Sequence, residues 1–436
     1  MSKSLNSSSF SRQLLVLLTG GFVLDHLDRH ILSITLNQIG LEFQLNDLQL
    51  GTLSGVAFAV VYVVLGFPLA RMTVPGRRKT IIVGTLTIWS MMTALMAVAG
   101  SYAQLLMARI GVGVGEAGYT PAAHSMIIDS FPEKKRASAL AAFSAGSNIG
   151  VFFAFILGGI VAAKFGWRAA FLVAGVPGIL LALVMVFRLY EPKTAAEPQE
   201  TTSAPPPTYR GIARRLLRDR VTRHVLIGSL LAAMVSYGAL AWVPMFLARS
   251  HNLGITQIGI FLALVIGIGG GLTTWFAGVL SDRLAAKGAS RRMTFVAATI
   301  LVAKPLAITA YLTDSAALTL TMFVLPAMAG GIYLGPAFAH IYHQVPPDEK
   351  PMTTAIMMFT LNLIGLGLGP FLVGLMSETL STQAFESIAP RDTLKYALAA
   401  LQFFGLWGAY HFWRAAALMR QTQKIAQSRQ SVETQT

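Results

Sequence analysis

Long apolar runs alternate with short polar joints along this chain. Runs of about 20 residues, the length that crosses the hydrocarbon of a bilayer as a helix, lie at 13–39, 48–71, 80–99, 103–129, 137–163 and 167–190, and again at 224–248, 256–280, 293–313, 317–342, 352–377 and 394–418. They are too long and too uniformly apolar for the strands of a closed barrel, which alternate over about ten residues. The pattern predicts an all-α membrane protein with twelve transmembrane helices in two groups of six. It places an N-terminal six-helix bundle at 1–190, a linker at 191–222, a second bundle at 223–420 and a tail at 421–436. Pro205, Pro206 and Pro207 with many Thr, Ala and Glu residues make the first part of the linker a flexible tether. Arg210, Arg214, Arg215, Arg218 and Arg220 then suit an amphipathic helix on an anionic lipid surface.

Composition agrees, since 54% of the 436 residues are hydrophobic, 12% are charged and the mean hydropathy is +0.61. A net charge of +15 would suit a nucleic-acid partner, but the basic residues sit in short clusters between apolar runs, so membrane orientation explains them and no nucleic-acid partner is expected. Arg77, Arg78 and Lys79, then Lys134, Lys135 and Arg136, then Arg283, Lys287, Arg291 and Arg292 all fall on one side of the predicted membrane. By the positive-inside rule that side is the cytoplasm, and both termini share it. The other side carries Glu42, Asp47, Asp314, Glu378, Glu386 and Asp392, with Lys164, Arg168, Arg249 and Arg391 as a minority. Lys3, Arg12 and the apolar run after them look superficially like a signal peptide, but no A-x-A-like cleavage site follows, so the first span is read as uncleaved. With 0 cysteines there is no disulfide framework, thiolate metal site or Cys nucleophile.

An internal repeat links the two groups. Arg77 and Arg78 recur as Arg291 and Arg292, Pro132 as Pro346 and Asn148 as Asn362, always at the same offset. Each landmark keeps its membrane side, so the repeats are parallel, related by an axis along the membrane normal, and one half can rock against the other around a central site.

Charges inside the apolar runs locate that site, because a charge at bilayer depth is costly and is usually kept for an ion or substrate pathway. At 1.5 Å per residue, a first helix starting at Arg12 puts Asp25 roughly 20 Å and Asp28 roughly 24 Å above its boundary. Arg109 lies roughly 8 Å below the far boundary of a core about 30 Å thick, at nearly the depth of Asp28. Arg109 and Glu116 are two turns apart on one face, and Asp25 and Arg29 are an i, i+4 pair. These charges can form a ladder in one cavity; the plainer reading is an ion-pair clamp between the first and fourth helices.

The stretches LDHLDRHILS (24–33), ARIGVGVGEAGYTPAAHSMIIDSFP (108–132), WVPMFLARSHNLG (242–254), GVLSDR (278–283) and NLIGLGLGPFLVGLMSE (362–378) resemble those of major facilitator superfamily transporters, and within them the bacterial spinster-like branch. The resemblance covers nearly the whole chain. It implies that helices one, four, seven and ten line a central cavity, and that Asp28, Arg29, Arg109 and Glu116 match the family's functional charges. Asp28, Glu116 and Asp25 are then candidates for proton coupling, and Arg29, Arg109, Tyr119, Trp242, Tyr333 and Asn362 for substrate binding. Arg77, Arg78, Asp282 and Arg283 are candidate gating residues. Two departures stand out. LARMTVPGRRK (69–79) lacks the acid of the Asp-Arg pair that Asp282 and Arg283 keep in the second half, so the first half should hold fewer cytoplasmic gating contacts and the resting protein should lean towards inward-open. Asp25 stands where the family pattern has Asn.

Lys304, in the ninth run, snorkels, meets a carbonyl or binds substrate. His26 shares the first helix with the acids, and Tyr62, Tyr237 and Phe359 suit either core packing or an amphiphile cavity. GVGVGEAG is no nucleotide fingerprint, as no strand precedes it; its glycines fit close helix packing. No metal-ligand spacing, nucleophile triad or phosphate loop appears, so neither catalysis nor a cofactor is expected. The chain reads as a monomeric inner-membrane secondary transporter, proton-coupled, moving an amphiphilic or lipid-like organic anion such as a lysolipid among membrane lipids. The alternatives are a proton-coupled carrier of a small organic acid (a sugar acid or aromatic acid) and a non-transporting membrane receptor.

Overall fold

The computed structural model describes residues 8–192, 208–346, 349–381, 389 and 392–433. Lys3, the proline tether at 193–207, Glu386, Arg391 and the end of the tail lie outside the described residues. The helices are α1 (Ser8–Phe43), α2 (Asp47–Met72), α3 (Arg78–Met96), α4 (Tyr102–Glu116), α5 (Tyr119–Ser130) and α6 (Glu133–Arg188), then α7 (Tyr209–Arg218), α8 (Arg220–His251), α9 (Ile255–Ala286), α10 (Ala289–Leu312), α11 (Ala316–Tyr342), α12 (Met352–Leu380) and α13 (Thr393–Glu433). Eight of them are long and apolar enough to cross a bilayer by length and composition. The successive pair α4–α5, together with α1 and α13, completes the set, with polar residues inside the spans. The run α6 is two crossings in one, because Gly166 at φ 82° turns the chain where only glycine is comfortable. Among the described residues this makes twelve crossings.

Local chemistry sets the joints. Ser101 caps α4 by accepting from the Gln104 N–H at 3.3 Å, Pro132 precedes α6, and Asn252 ends α8 in the left-handed region at φ 52°. Single π-helical stretches interrupt α2 at 52–56, α9 at 263–269 and α12 at 362–368, all in helices that face the opposite half.

Within the first half α1 and α3 pack on α6; within the second, α10 and α8 pack on α13. The halves meet along α1 with α8, α2 with α12, and α6 with α9. Small residues bring the last two pairs to backbone contact. A Cβ at Gly159 would lie 2.9 Å from the Ile255 carbonyl, and one at Gly374 would lie 3.1 Å from the Gly51 Cα. This is the face away from the chain's basic loops, and polar contacts lock it. Asp47 receives the Arg249 guanidinium at 2.8 Å and the Ser377 hydroxyl at 2.6 Å, while its own N–H donates to Glu378 at 3.1 Å. Elsewhere along α9, a Cβ at Gly270 or Gly278 would meet no heavy atom within 4 Å.

The basic stretch after the tether forms α7. Ile212 and Leu216 are buried against the second half, and Arg215 holds Glu349 through two parallel bonds of 2.8 and 3.0 Å. Arg71, at the end of α2, lies over the Tyr209 ring at 5.8 Å.

Candidate functional site

The helix α1 carries its charges deep in the span, where pairing lowers their cost, and it joins Arg29 to Glu116 of α4. Asp25 and Arg29, one turn apart, bond at 3.2 Å, and Arg29 Nε donates to Glu116 Oε2 at 2.5 Å. His26 Nδ1 lies 3.0 Å from Asp25 Oδ2. Asp25, Asp28 and Glu116 are each 1% exposed. Two aromatic rings from α2 flank the guanidinium, whose Cζ is 5.2 Å from the Phe58 centroid and 5.3 Å from that of Tyr62. Asp28 stands apart from this chain and accepts from the Thr93 hydroxyl of α3 at 3.1 Å. Arg109 also lies over the Phe58 ring, 4.7 Å from its centroid, and makes no ion pair among the described residues. Asp28 Oδ1, Glu116 Oε1 and Arg109 Nε are buried without hydrogen-bond partners.

A cavity of about 290 Å³ lies between the halves, beside this charge chain. Arg29, His26, His30 and Asn148 line it from the first half; Tyr237, Lys304, Tyr333 and Gln402, with a wall of aliphatic and aromatic residues, line it from the second. No carboxylate is among its lining residues. Arg29 thus belongs to two environments: it faces the cavity and it neutralises Asp25 and Glu116.

Residues 18–385 match the family model described as Major Facilitator Superfamily. The chain belongs to that superfamily. It is therefore a multi-pass membrane transporter and not an enzyme. It is similar to an MFS-type efflux pump of Mycolicibacterium smegmatis, 30% identical over 91% of this chain and 90% of that one. It is also similar to the sphingosine-1-phosphate transporter SPNS2 of Danio rerio, 25% identical over 91% of this chain and 82% of the relative, and to the probable galactarate/D-glucarate transporter GudP of Bacillus subtilis, 26% identical over 76% and 77%. Among solved structures it resembles a bacterial homolog of the human lysosomal transporter Spinster in an inward-facing, unoccupied conformation, with a TM-score of 0.84, 26% identity, and 95% of this chain and 98% of the other covered.

In this transporter the candidate residues fall into three places. Asp25, Arg29 and Glu116 form the charge chain, and of the six candidate substrate contacts Arg29 and Tyr333 line the cavity. Tyr119 instead ties α5 to α1, its hydroxyl donating to the Leu18 carbonyl at 2.8 Å, and Trp242 ties α8 to α12 by donating to the Pro370 carbonyl at 2.9 Å. Arg109 and Asn362 are also outside the lining. His30 and Gln402 were not singled out in the sequence, although His30 is one turn beyond His26 on the same face.

The candidate gating residues do not meet across the halves. Arg77 is exposed. Arg78, fully buried, donates to Asp129 at 2.5 Å and Ser125 at 3.0 Å within the first half and to Glu191, the first residue of the linker, at 2.7 Å. The acid missing from 69–79 is therefore replaced from two other segments, and the first half does not lack for contacts at this end. In the second half Asp282 accepts from Arg292 at 3.3 Å, and Arg283 is exposed.

Proposed function

We propose that the chain is a proton-coupled secondary transporter of an amphiphilic organic anion, working as a monomer by alternating access in a bacterial inner membrane with both termini in the cytoplasm. The observation that carries this reading is the double role of Arg29. Its guanidinium is bonded to Glu116 and Asp25 and borders a cavity whose lining holds cations and no carboxylate. An anion entering that cavity competes with the two acids for the same fork of donors. A proton on Glu116 or Asp25 weakens the acid's hold and frees Arg29, so proton and anion favour each other's binding, and by linkage the coupling is reciprocal. Asp28, with one oxygen on Thr93 and the other unpartnered, is a second proton carrier on the same helix. The face away from the basic loops is closed by the Asp47 contacts, and the chain resembles a homolog solved in an inward-facing conformation, which together support a rest state accessible from the cytoplasm.

The lining favours a molecule with a charged head and an apolar body, which agrees with the phosphate amphiphile that names the SPNS2 relative. A second reading, a compact organic acid like the one that names GudP, is favoured by the volume of about 290 Å³, at the lower end of the roughly 300–1,000 Å³ of ligand pockets.

Proteoliposomes with an imposed pH gradient test the coupling. Asp28→Asn and Glu116→Gln should abolish gradient-driven uptake and leave substrate counterflow measurable. Undiminished pH-driven accumulation by both variants would show that neither acid carries the proton.

A further inference from the structure

We propose that Lys304 is a second cationic anchor for the transported anion, presented from the second half across the cavity from Arg29. The inference rests on the reading of this cavity as an anion site, and it names the group that grips the head from the other side. Lys304 lies in α10, eight residues short of its end at Leu312, and is 9% exposed. A lysine in a membrane helix ordinarily snorkels to the interface or pairs with a buried acid. Here it lines the central cavity, and among the described residues no ion pair or hydrogen bond satisfies its ammonium.

The surroundings are shaped to keep it there. On α13, Gly405 leaves room for the lysine stem, since a Cβ on that glycine would lie 2.6 Å from Lys304 Cε and 2.9 Å from Cδ. Ser236, Gly330 and Tyr333 border the same side chain in a small pocket behind the cavity. Beyond it the wall turns apolar, with Ala307, Tyr311, Phe323 and Ile266. A buried ammonium with no acid beside it needs its countercharge from the occupant. The chemical class is an organic anion with a carboxylate or phosphate head, held between the guanidinium of one half and the ammonium of the other, its apolar body on the second half's wall. Such a ligand also joins the two rocking halves, which is what a carrier must distinguish as loaded.

The test uses the full chain purified in detergent and four probes: oleoyl lysophosphatidate, D-glucarate, inorganic phosphate and the uncharged monoolein. Binding is measured by calorimetry for wild type, Lys304→Met and Lys304→Arg, with monodispersity checked by gel filtration. Wild type should bind at least one anion. Lys304→Met should weaken it roughly tenfold or more, the worth of one charge-assisted hydrogen bond, Lys304→Arg should restore most of the loss, and monoolein should not distinguish the three. Gly405→Ala, which crowds the lysine stem without removing the charge, should weaken the same anions and serves if Lys304→Met does not fold. Anion binding that is unaltered in Lys304→Met and Gly405→Ala would overturn the anchor and leave the transporter reading intact. Lysine-dependent binding of glucarate alone would uphold the anchor and overturn the amphiphile. A wild type that binds none of the anions would overturn both.

Discussion

At membrane depth the first half holds Asp25, Asp28 and Glu116 with Arg29 and Arg109, whereas the cavity wall of the second half offers Lys304 among Ser236, Tyr333 and Gln402. The basic ends differ too. Arg78 is fully buried between two acids, while its repeat counterpart Arg292 pairs with an Asp282 whose side chain is 81% exposed. The repeat is thus used unequally: the first half binds Arg29 to Asp25 and Glu116 and Arg78 to Asp129 and Glu191, and the second places an unpaired cation, Lys304, in the cavity lining. A half whose cavity-facing cation is bound to acids can exchange a proton for an anion. A half whose cavity-facing cation has no acid beside it can only wait for the anion.

The largest expected effect breaks this comparison at its centre. Arg29→Gln leaves Asp25 and Glu116 buried without their cation, and losing one partner of a buried ion pair costs about 3–5 kcal/mol. The variant should melt well below wild type in detergent. Adding Glu116→Gln removes one of the stranded acids and should recover part of the loss, giving a non-additive double-mutant cycle. Additive effects of the two substitutions would mean that the 2.5 Å contact contributes no coupling.

A smaller effect sharpens the contrast between the basic ends. Arg78→Gln removes a buried cation that two acids and a serine share, and should cost about 2–3 kcal/mol. Arg292→Gln removes a single contact to a solvated carboxylate and should cost at most about 1 kcal/mol. Thermal melting of the two variants side by side checks the order; equal shifts would place the two arginines on the same footing despite their burial.

How far these features were legible follows from what each signal depends on. Runs of about 20 apolar residues and the positions of Arg, Pro and Asn landmarks are local, so the twelve crossings could be read from the sequence. The Asp25–Arg29 contact is an i, i+4 relation and was readable for the same reason. The bond from Arg29 to Glu116 joins α1 to α4, and the family resemblance already grouped those residues. What one sequence could not convey is rotation about a helix axis. Tyr119 and Trp242 look like cavity aromatics, but each is turned to a backbone carbonyl of a neighbouring helix. Arg109 is at the right depth, yet it lies over the Phe58 ring and outside the cavity lining. The loop lacking an acid suggested a weak basic end, because Asp129 and Glu191, distant in sequence, gave no hint that they converge on Arg78.

The smallest expected effect concerns Glu191, which has no counterpart at Arg292. Burial pushes its carboxyl upward, but bonds from the Arg78 guanidinium and from the Gly76 and Lys79 N–H groups outweigh this and hold it below the ordinary Glu value of 4.5. It thereby also caps the start of α3, where a negative charge is favoured. A carboxyl with a depressed native pKa binds protons more weakly folded than unfolded. Its contribution is complete above the unfolded value of 4.5 and is lost as pH falls below that and through the native value. Wild type should therefore lose melting temperature on acidification below about pH 4.5 more steeply than Glu191→Gln, whose neutral amide cannot titrate. At pH 7 the variant should already sit lower, because the charged contact to Arg78 is gone. Parallel curves for the two proteins across that acid range would show that Glu191 adds no proton linkage, and would leave Asp129 as the acid that sets Arg78 apart from Arg292.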